Sequence, residues 1–264
     1  MEAASLLTVA KEAALSAGEY LTKDSSGRVV NKEFHHDLKI EADIRSERII
    51  IDFLKTRTPY SILSEERGQI PGEDQSCQWI IDPVDGSVNY LRGIPFCCVS
   101  IGLWRGEAPV LGIIYDFYRG EIFSGIINEG AWLNDQPIGV SETEVKEKAI
   151  LCSGFPGNTD YSPEGIRTLI GQIQSYRKVR LLGAAALGIA YVACGRVDAY
   201  YEQDIMHWDI AAGVPIVLAA GGEIHMRKSS RPNGYHFWAS NKKIVCRDNE
   251  YTASTQDYEW RKAV

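Results

Sequence analysis

Four carboxylates define the chemistry open to this chain: Glu65, Asp82, Asp85 and Asp209, far apart in sequence and with no histidine or cysteine beside them in ligand spacing. An all-oxygen set of this kind suits a hard divalent cation, magnesium or manganese, far better than zinc. Two of the acids leave one place together. Trp79-Ile80-Ile81 reads as the end of a buried strand, and Asp82, Pro83, Val84, Asp85, Gly86 and Ser87 follow without interruption. The Val84 carbonyl can add a neutral oxygen ligand. If Gly86 and Ser87 open a helical turn, their N–H groups face outward and can hold a phosphate oxygen. Acids gathered from strand ends and helix starts are what a two-metal hydrolytic site requires, with ions roughly 3.5–4 Å apart clamping attacking and leaving oxygens. Each acid also has a plainer account. Asp85-Gly86 reads equally as a turn with Asp85 capping a short helix, Glu65-Glu66 as a solvated pair, and Asp209 as a helix-start acid stabilised by the macrodipole. Only the combination points to a metal site.

The remaining reactive types offer less. His35-His36 fall in a polar turn, His225 and His236 are isolated, and His207 sits beside Trp208, so a structural role is expected of each. Lys32 reads first as a surface charge and second as a cation that closes over a phosphate. The six cysteines show no CxxC spacing, and Cys97-Cys98 lie in an apolar run as core residues.

The elements that must position the acids are legible from periodicity. Helices are expected over residues 3–21 and 41–56, with Asp43 near the start of the second, and a short strand around Val29, Val30 and Lys32. Tyr60-Ser61-Ile62-Leu63-Ser64 then ends in Glu65-Glu66, repeating the pattern of apolar strand followed by acid seen at Asp82, so two neighbouring strands are expected to present acid at one edge. Residues 96–104, 109–115 and 121–126 read as an antiparallel meander. The charged stretch 141–148 is the expected boundary between an N-terminal half, 1–140, and a C-terminal half, 141–264. In the second half strands (149–152, 178–182, 197–201) alternate with helices (163–174, 184–193), an α/β layer. A final helix over 208–219 carries Asp209 in its first turn and stops at Gly221-Gly222.

Bulk properties bound the function. With 264 residues, 45% hydrophobic and 24% charged, the chain has the composition of an ordinary globular protein able to bury a sizeable core. A net charge of −7 argues against nucleic acid or an anionic membrane surface as the main partner. A phosphate-bearing small molecule is compatible if a bound cation reverses the local sign. The absence of a leader-like N-terminus and of any 18-residue apolar stretch leads to the expectation of a cytoplasmic protein.

WIIDPVDGSVNY (79–90) and WDIAAGVPIVLAAGG (208–222) together resemble the two motifs of the inositol monophosphatase family of magnesium-dependent, lithium-sensitive phosphatases. DLKIEAD (37–43), Ser64-Glu65-Glu66 and LLGAAALGIAYVACGRVDAYYE (181–202) are similar to further family segments, so the likeness spans nearly the whole chain. The resemblance implies a layered αβαβα sandwich, usually a homodimer, holding two or three magnesium ions, with manganese as a substitute. It implies that Glu65, Asp82, the Val84 carbonyl and Asp85 bind the first metals and that Asp209 joins Asp82 and Asp85 on the second. Gly86 and Ser87 would hold the phosphate; Asp43 with the Ser87 hydroxyl, or Glu65, would deprotonate the attacking water. Lys32 falls where the family has a lysine near the active site. Glu202, the backbone around Ala185, and Asp85 match positions that meet the substrate's ring hydroxyls.

Two departures stand out. Serine occupies position 87 where threonine is commoner, keeping the hydroxyl and losing a methyl that stiffens the rotamer; alanine occupies position 184 where many relatives have serine or threonine. The segment 153–162 aligns with none, and substrate choice is expected to be decided there. The expected activity is hydrolysis of a small polyol phosphate, inositol monophosphate first. Its rivals are fructose-1,6-bisphosphate, phosphoadenosine phosphate and, from another class, phosphate binding without turnover. Glu202, seven residues before Asp209, favours the inositol reading because an acid accepts hydrogen bonds from sugar-type hydroxyls.

Overall fold

Small residues decide how the first helix lies. Helix α1 (Ala3–Lys23) buries Ala10, Ala13, Ala14, Ala17 and Gly18 along one stripe, which lets its backbone approach the sheet beneath; a Cβ on Gly18 would come within 2.3 Å of the Tyr115 ring. The computed structural model describes residues 2–23, 30–34, 37–154 and 162–245. A two-stranded ribbon, β1 (Val30–Phe34) and β2 (Asp37–Ile40), leads into α2 (Glu41–Arg57), which packs beside α1.

Both helices cover one face of an eight-stranded sheet. Its members are β3 (Tyr60–Ser64), β4 (Gly68–Ile70), β5 (Asp74–Asp85), β6 (Cys98–Arg105), β7 (Ala108–Asp116), β8 (Glu121–Ile126), β9 (Gly130–Leu133) and β10 (Gln136–Pro137), in the order β10-β9-β8-β7-β6-β5-β3-β4. β3 and β5 run parallel and all other neighbours antiparallel. The expected meander is therefore present, extended by β9 and β10. The short helix α3 (Ser87–Arg92) follows β5 directly.

Beyond the charged connection lies a second sheet of β11 (Ile150–Ser153), β12 (Lys178–Leu181), β13 (Ala199–Met206), β14 (Glu223–Lys228) and β15 (Gly234–Ser240), ordered β12-β11-β13-β15-β14. Helices α5 (Ala185–Ala193), α6 (His207–Ile210) and α7 (Gly213–Ala219) fill the space between the sheets. One core there joins Leu63, Ile80 and Phe123 of the first sheet to Leu187 and Val214 of the helices and Phe237 of the second sheet. On the far side, α4 (Pro163–Gln174) leads to Tyr176, which packs with Leu151, Tyr201 and Trp238. The layers are α, β, α, β, α, as expected.

The central helices sit unusually close to the first sheet because three glycines line up across it. Gly102 pairs with Gly112, and Gly112 with Gly125. A Cβ at these positions would stand 2.6 Å from the Ala211 carbonyl carbon, 2.1 Å from the Ala212 carbonyl oxygen and 2.7 Å from the Ile216 Cα. The backbone of α6 and α7 rests on this lane, and the Trp104 indole N–H donates to the Ala211 carbonyl at 2.9 Å. One difference from expectation lies here. The helix read over 208–219 is interrupted at Ala211–Ala212: Pro215, four residues on, has no N–H to bond the Ala211 carbonyl, which takes the Trp104 indole instead. A second difference is the β14–β15 hairpin, where no strand was expected. Cys246 and the tail 247–264 lie outside the described residues, as do His35 and His36.

Candidate active site

The parallel pair β3 and β5 delivers the first two acids to one place. Leu63 pairs with Ile80 and Ser64 with Ile81, so Glu65 follows beside Asp82, and its N–H donates to the Ile81 carbonyl at 3.3 Å. Alternation settles which way they point. Ile62, Trp79 and Ile81 face the core under α1 and α2, whereas Leu63 and Ile80 face the central layer; Asp82, two residues beyond Ile80, follows them. Asp85 is three residues further on and would fall on the opposite face of a regular strand. A bulge corrects this. Asp82 pairs with Ser100 and Asp85 with Cys98, so three steps on β5 match two on β6, with Pro83, which has no N–H to lose, inside the irregularity.

Asp85 then meets the second half of the chain. Its Oδ1 accepts from the Ala185 N–H at 3.0 Å and its Oδ2 from the Ala186 N–H at 2.8 Å, the first turn of α5, where a negative charge is favoured. The Cys98 thiol adds a weak donor to Oδ2 at 3.5 Å. Asp209 arrives from α6 with Oδ2 held by the Met206 N–H at 3.0 Å. Oxygens of Asp82, Asp85 and Asp209 come within 4.8 Å of one another. Glu65, the Val84 backbone, Gly86, Ser87, Ala185 and Glu202 line the same cleft, of about 620 Å³. The Ala185 N–H is taken by Asp85, so what that residue offers the cleft is its place in the wall.

Behind this turn α2 supplies a polar face. The Ser46 hydroxyl donates to the Pro83 carbonyl at 2.8 Å, and buried Asp43 accepts from the Ile40 N–H at 3.0 Å. The Ser87 Oγ lies 3.0 Å from Asp43 Oδ1 and 2.9 Å from the Val84 carbonyl. With its proton directed to Asp43, the serine keeps lone pairs free to accept a proton from a water. Gly86 has φ 88°, a left-handed conformation that lets the chain turn from strand into α3. A Cβ there would also stand 3.0 Å from the Ala184 Cβ. Lys32 belongs to β1, and its side chain lies outside the described part of the structure. Of 153–162, residues 155–161 lie outside it as well.

Several neighbours carried no signal in the sequence. Tyr200, fully buried, donates a short hydrogen bond to the Glu202 carboxylate, and Gly154 packs against the same group so closely that a Cβ would meet it. Arg231, from the β14–β15 turn, brings a cation to the cleft wall. Cys98 and Tyr200 matter only through what they touch once the strands are in register. The histidine expectation holds for His207, whose ring packs edge-on against Trp104 and beside Tyr235, and whose burial lowers its pKa to about 4.

The electrostatics identify what the acids can hold. Burial first, then Glu65, Asp85 and Asp209, push Asp82 well above the ordinary carboxylate range; burial, Asp85 and Glu202 do the same to Asp209. Burial lifts Asp85 to about 6 against the pull of the α5 N–H groups. Carboxylates that repel each other in a shared, desolvated space fit a divalent cation, and the all-oxygen donors fit a hard one. A pH dependence follows. Without a cation, the contribution of Asp85 to stability is best below its reference value of 3.8 and is lost as pH rises through about 6, because the folded state binds the proton more tightly than the unfolded one. A cation competes with those protons. The magnesium concentration giving half of the thermal stabilisation should fall as pH is raised from about 5 to about 7.5; melting curves showing a pH-independent requirement would remove these acids from the ion.

The model of the inositol monophosphatase family matches residues 2–260. This chain belongs to that family. It is 38% identical over 226 residues to an inositol-1-monophosphatase of Synechocystis sp., covering 82% of this chain and 77% of the relative. It is 36% identical over 222 residues to the Nus factor SuhB of Pasteurella multocida, covering 82% and 83%. Among solved structures, an inositol monophosphatase from Anabaena (Nostoc) sp. aligns with a TM-score of 0.78 at 36% identity over 90% of each chain. Family membership makes the chain a metal-dependent phosphatase, and Asp82, Asp85 and Asp209 form an acidic cluster that could hold an ion. No helix among the described residues is long and apolar enough to cross a membrane.

Proposed function

We propose that the protein is a magnesium-dependent phosphomonoesterase acting on a small polyol phosphate, with inositol monophosphate as first substrate. The observation that carries this is the meeting of Asp82, Asp85 and Asp209 within 4.8 Å, beside the Asp43–Ser87 hydrogen bond, in a cleft that also contains Glu202. Glu65, Asp82, the Val84 carbonyl, Asp85 and Asp209 would hold two or three ions. When bound, magnesium supplies the charge neutralisation that phosphoryl transfer demands, and manganese would substitute. The Gly86 and Ser87 N–H groups would orient the phosphate and Lys32 would close over it. Asp43, through the Ser87 hydroxyl, is the group we assign to take the proton of the attacking water, with Glu65 as the alternative base. Glu202 is lifted to about 7 by burial and Asp85 against the pull of the Tyr200 hydroxyl, so near neutral pH it can accept or donate a hydrogen bond to a ring hydroxyl. The same family likeness supports a lithium-sensitive homodimer, and the net charge of −7 argues for a cytoplasmic protein whose main partner is neither nucleic acid nor membrane.

Phosphate release from inositol, sugar and nucleotide phosphates, with and without magnesium, tests the proposal. Release that requires magnesium and is fastest with inositol monophosphate is expected. Faster release from fructose 1,6-bisphosphate or 3′-phosphoadenosine 5′-phosphate would move the substrate, and binding without release would exclude turnover. In the same assay Glu202→Ala should lower kcat/KM for inositol monophosphate by about tenfold more than for an aryl phosphate, the scale of an unmade hydrogen bond to a charged group. Equal losses would take Glu202 out of the substrate pocket.

A further inference from the structure

The cleft wall is strongly acidic, with Glu65, Asp82, Asp85, Glu202, Asp204 and Asp209 all contributing, and among the described residues Arg231 is its one cationic side chain. An arginine beside so many acids would ordinarily be taken up in an ion pair. Arg231 is exposed, and among the described residues its guanidinium has no carboxylate partner. What holds this residue is its backbone, which is tied down on both sides. The Arg231 N–H donates to the Ser229 Oγ at 3.1 Å and its carbonyl accepts from the Gly234 N–H at 2.9 Å. The Ser229 hydroxyl in turn donates a short hydrogen bond to Asp204 Oδ1.

Asp204 is itself an irregular position. It lies at the register shift of β13, is buried, and takes φ 56°, a left-handed conformation costly for a residue with a side chain. A Cβ on Gly234 would stand 2.8 Å from Asp204 Oδ1 and 2.4 Å from Ser229 Oγ, so the three residues form a packed knot. One more bond ties the turn to the metal-binding segment: the His207 N–H, two residues before Asp209, donates to the Asn233 carbonyl at 2.8 Å. The result is a cation with an exposed side chain and a backbone firmly rooted relative to the acids. A cleft of about 620 Å³ falls within the range of roughly 300–1,000 Å³ typical of sites for whole small-molecule ligands, which leaves room beyond a phosphoryl group.

We propose that Arg231 is a specificity-determining residue that binds a second anionic group of the substrate, a carboxylate or a phosphate distal to the phosphoryl group being removed, and that Asp204 and Ser229 are its positioning residues. This rests on the phosphomonoesterase reading and widens its substrate class from neutral polyol phosphates to those carrying another negative charge. Guanidinium is the natural partner because its planar fork matches carboxylate and phosphate oxygens in pairs. Bound cations cancel the acids at the phosphoryl end, so the distal anion meets the arginine without opposing the whole cluster.

The test uses the full chain with magnesium and p-nitrophenyl phosphate as reporter, and measures inhibition by glucose 1-phosphate, glucuronate 1-phosphate and glucose 1,6-bisphosphate. The last two differ from the first by a distal carboxylate and a distal phosphate, so the arms separate the two sources of charge. In the parent protein one or both should inhibit about tenfold more tightly than glucose 1-phosphate, the scale of one charge-assisted hydrogen bond. Arg231→Gln should bring that preference to within about twofold, and Arg231→Lys should retain part of it as a point charge. Ser229→Ala, which removes the tether without touching the strained backbone, should weaken the preference as well; Asp204→Asn is the second tether variant, with melting curves to show that both are folded. A preference that is absent in the parent, or that survives Arg231→Gln, overturns the inference and leaves the phosphatase reading intact. No phosphate release from either p-nitrophenyl phosphate or inositol monophosphate overturns both.

Discussion

Replacing Asp209 with asparagine is expected to lower magnesium-dependent phosphate release by at least about a hundredfold, given the size of metal and electrostatic contributions to such reactions. The variant separates charge from architecture. An asparagine oxygen can still accept the Met206 N–H, so the local structure survives, while the charge offered to an ion is lost. Because burial and the neighbouring acids already strain the ionised form of Asp209, the variant should also melt no lower than the parent in the absence of magnesium and gain less from its addition. Asp85→Asn should be at least as inactive, for two reasons. It removes a charge, and it turns one face of its amide toward the N–H groups of Ala185 and Ala186, where a second donor is unwelcome. Near-normal turnover in both variants would defeat the metal assignment.

The second large effect is predicted far from any acid. Gly112→Val should cost about 1–3 kcal/mol of stability or more, because a branched side chain cannot be accommodated 2.1 Å from the Ala212 carbonyl oxygen without lifting the central helices off the sheet. It should also depress activity beyond what the lost stability explains, since α6 carries Asp209 toward Asp82 and Asp85. Denaturant melts together with magnesium titrations would show this as weakened cation stabilisation in the protein that remains folded. Unchanged magnesium affinity would mean that the lane supports the fold and not the site.

How much of this was readable beforehand depends on the range over which each signal acts. The strand-end acids were legible because apolar runs ending in Glu65 and Asp82 are local patterns, and the parallel register of β3 and β5 sets them side by side as expected. Asp43 near a helix start and Asp209 in a helix's first turn were legible for the same reason. The glycine lane was not, since Gly102, Gly112 and Gly125 acquire meaning only after three strands are paired and a helix is laid across them. Pro215, by contrast, is a local signal inside the helix that periodicity read as continuous, and it withholds the N–H that the Ala211 carbonyl would need. Strand β14 alternates in burial while β15 is buried along nearly its whole length, and Arg227, Lys228 and the Ser229–Asn233 turn between them dilute a short signal. Tyr200 and Arg231 enter the cleft from positions whose spacing to the acids has no local meaning.

The irregular pairing between β5 and β6 carries a final consequence. Asp82 and Asp85 share a face only because the bulge absorbs the odd backbone unit between them. Straightening the bulge at unchanged length, so that the residues pair one for one with β6, would aim one of the two carboxylates toward α1 and α2, with the amino-acid inventory of the centre untouched. Chemistry in this protein is thus written in how peptide units are paired across strands as well as in the identity of side chains, and a slip at this point is more consequential than most replacements around it.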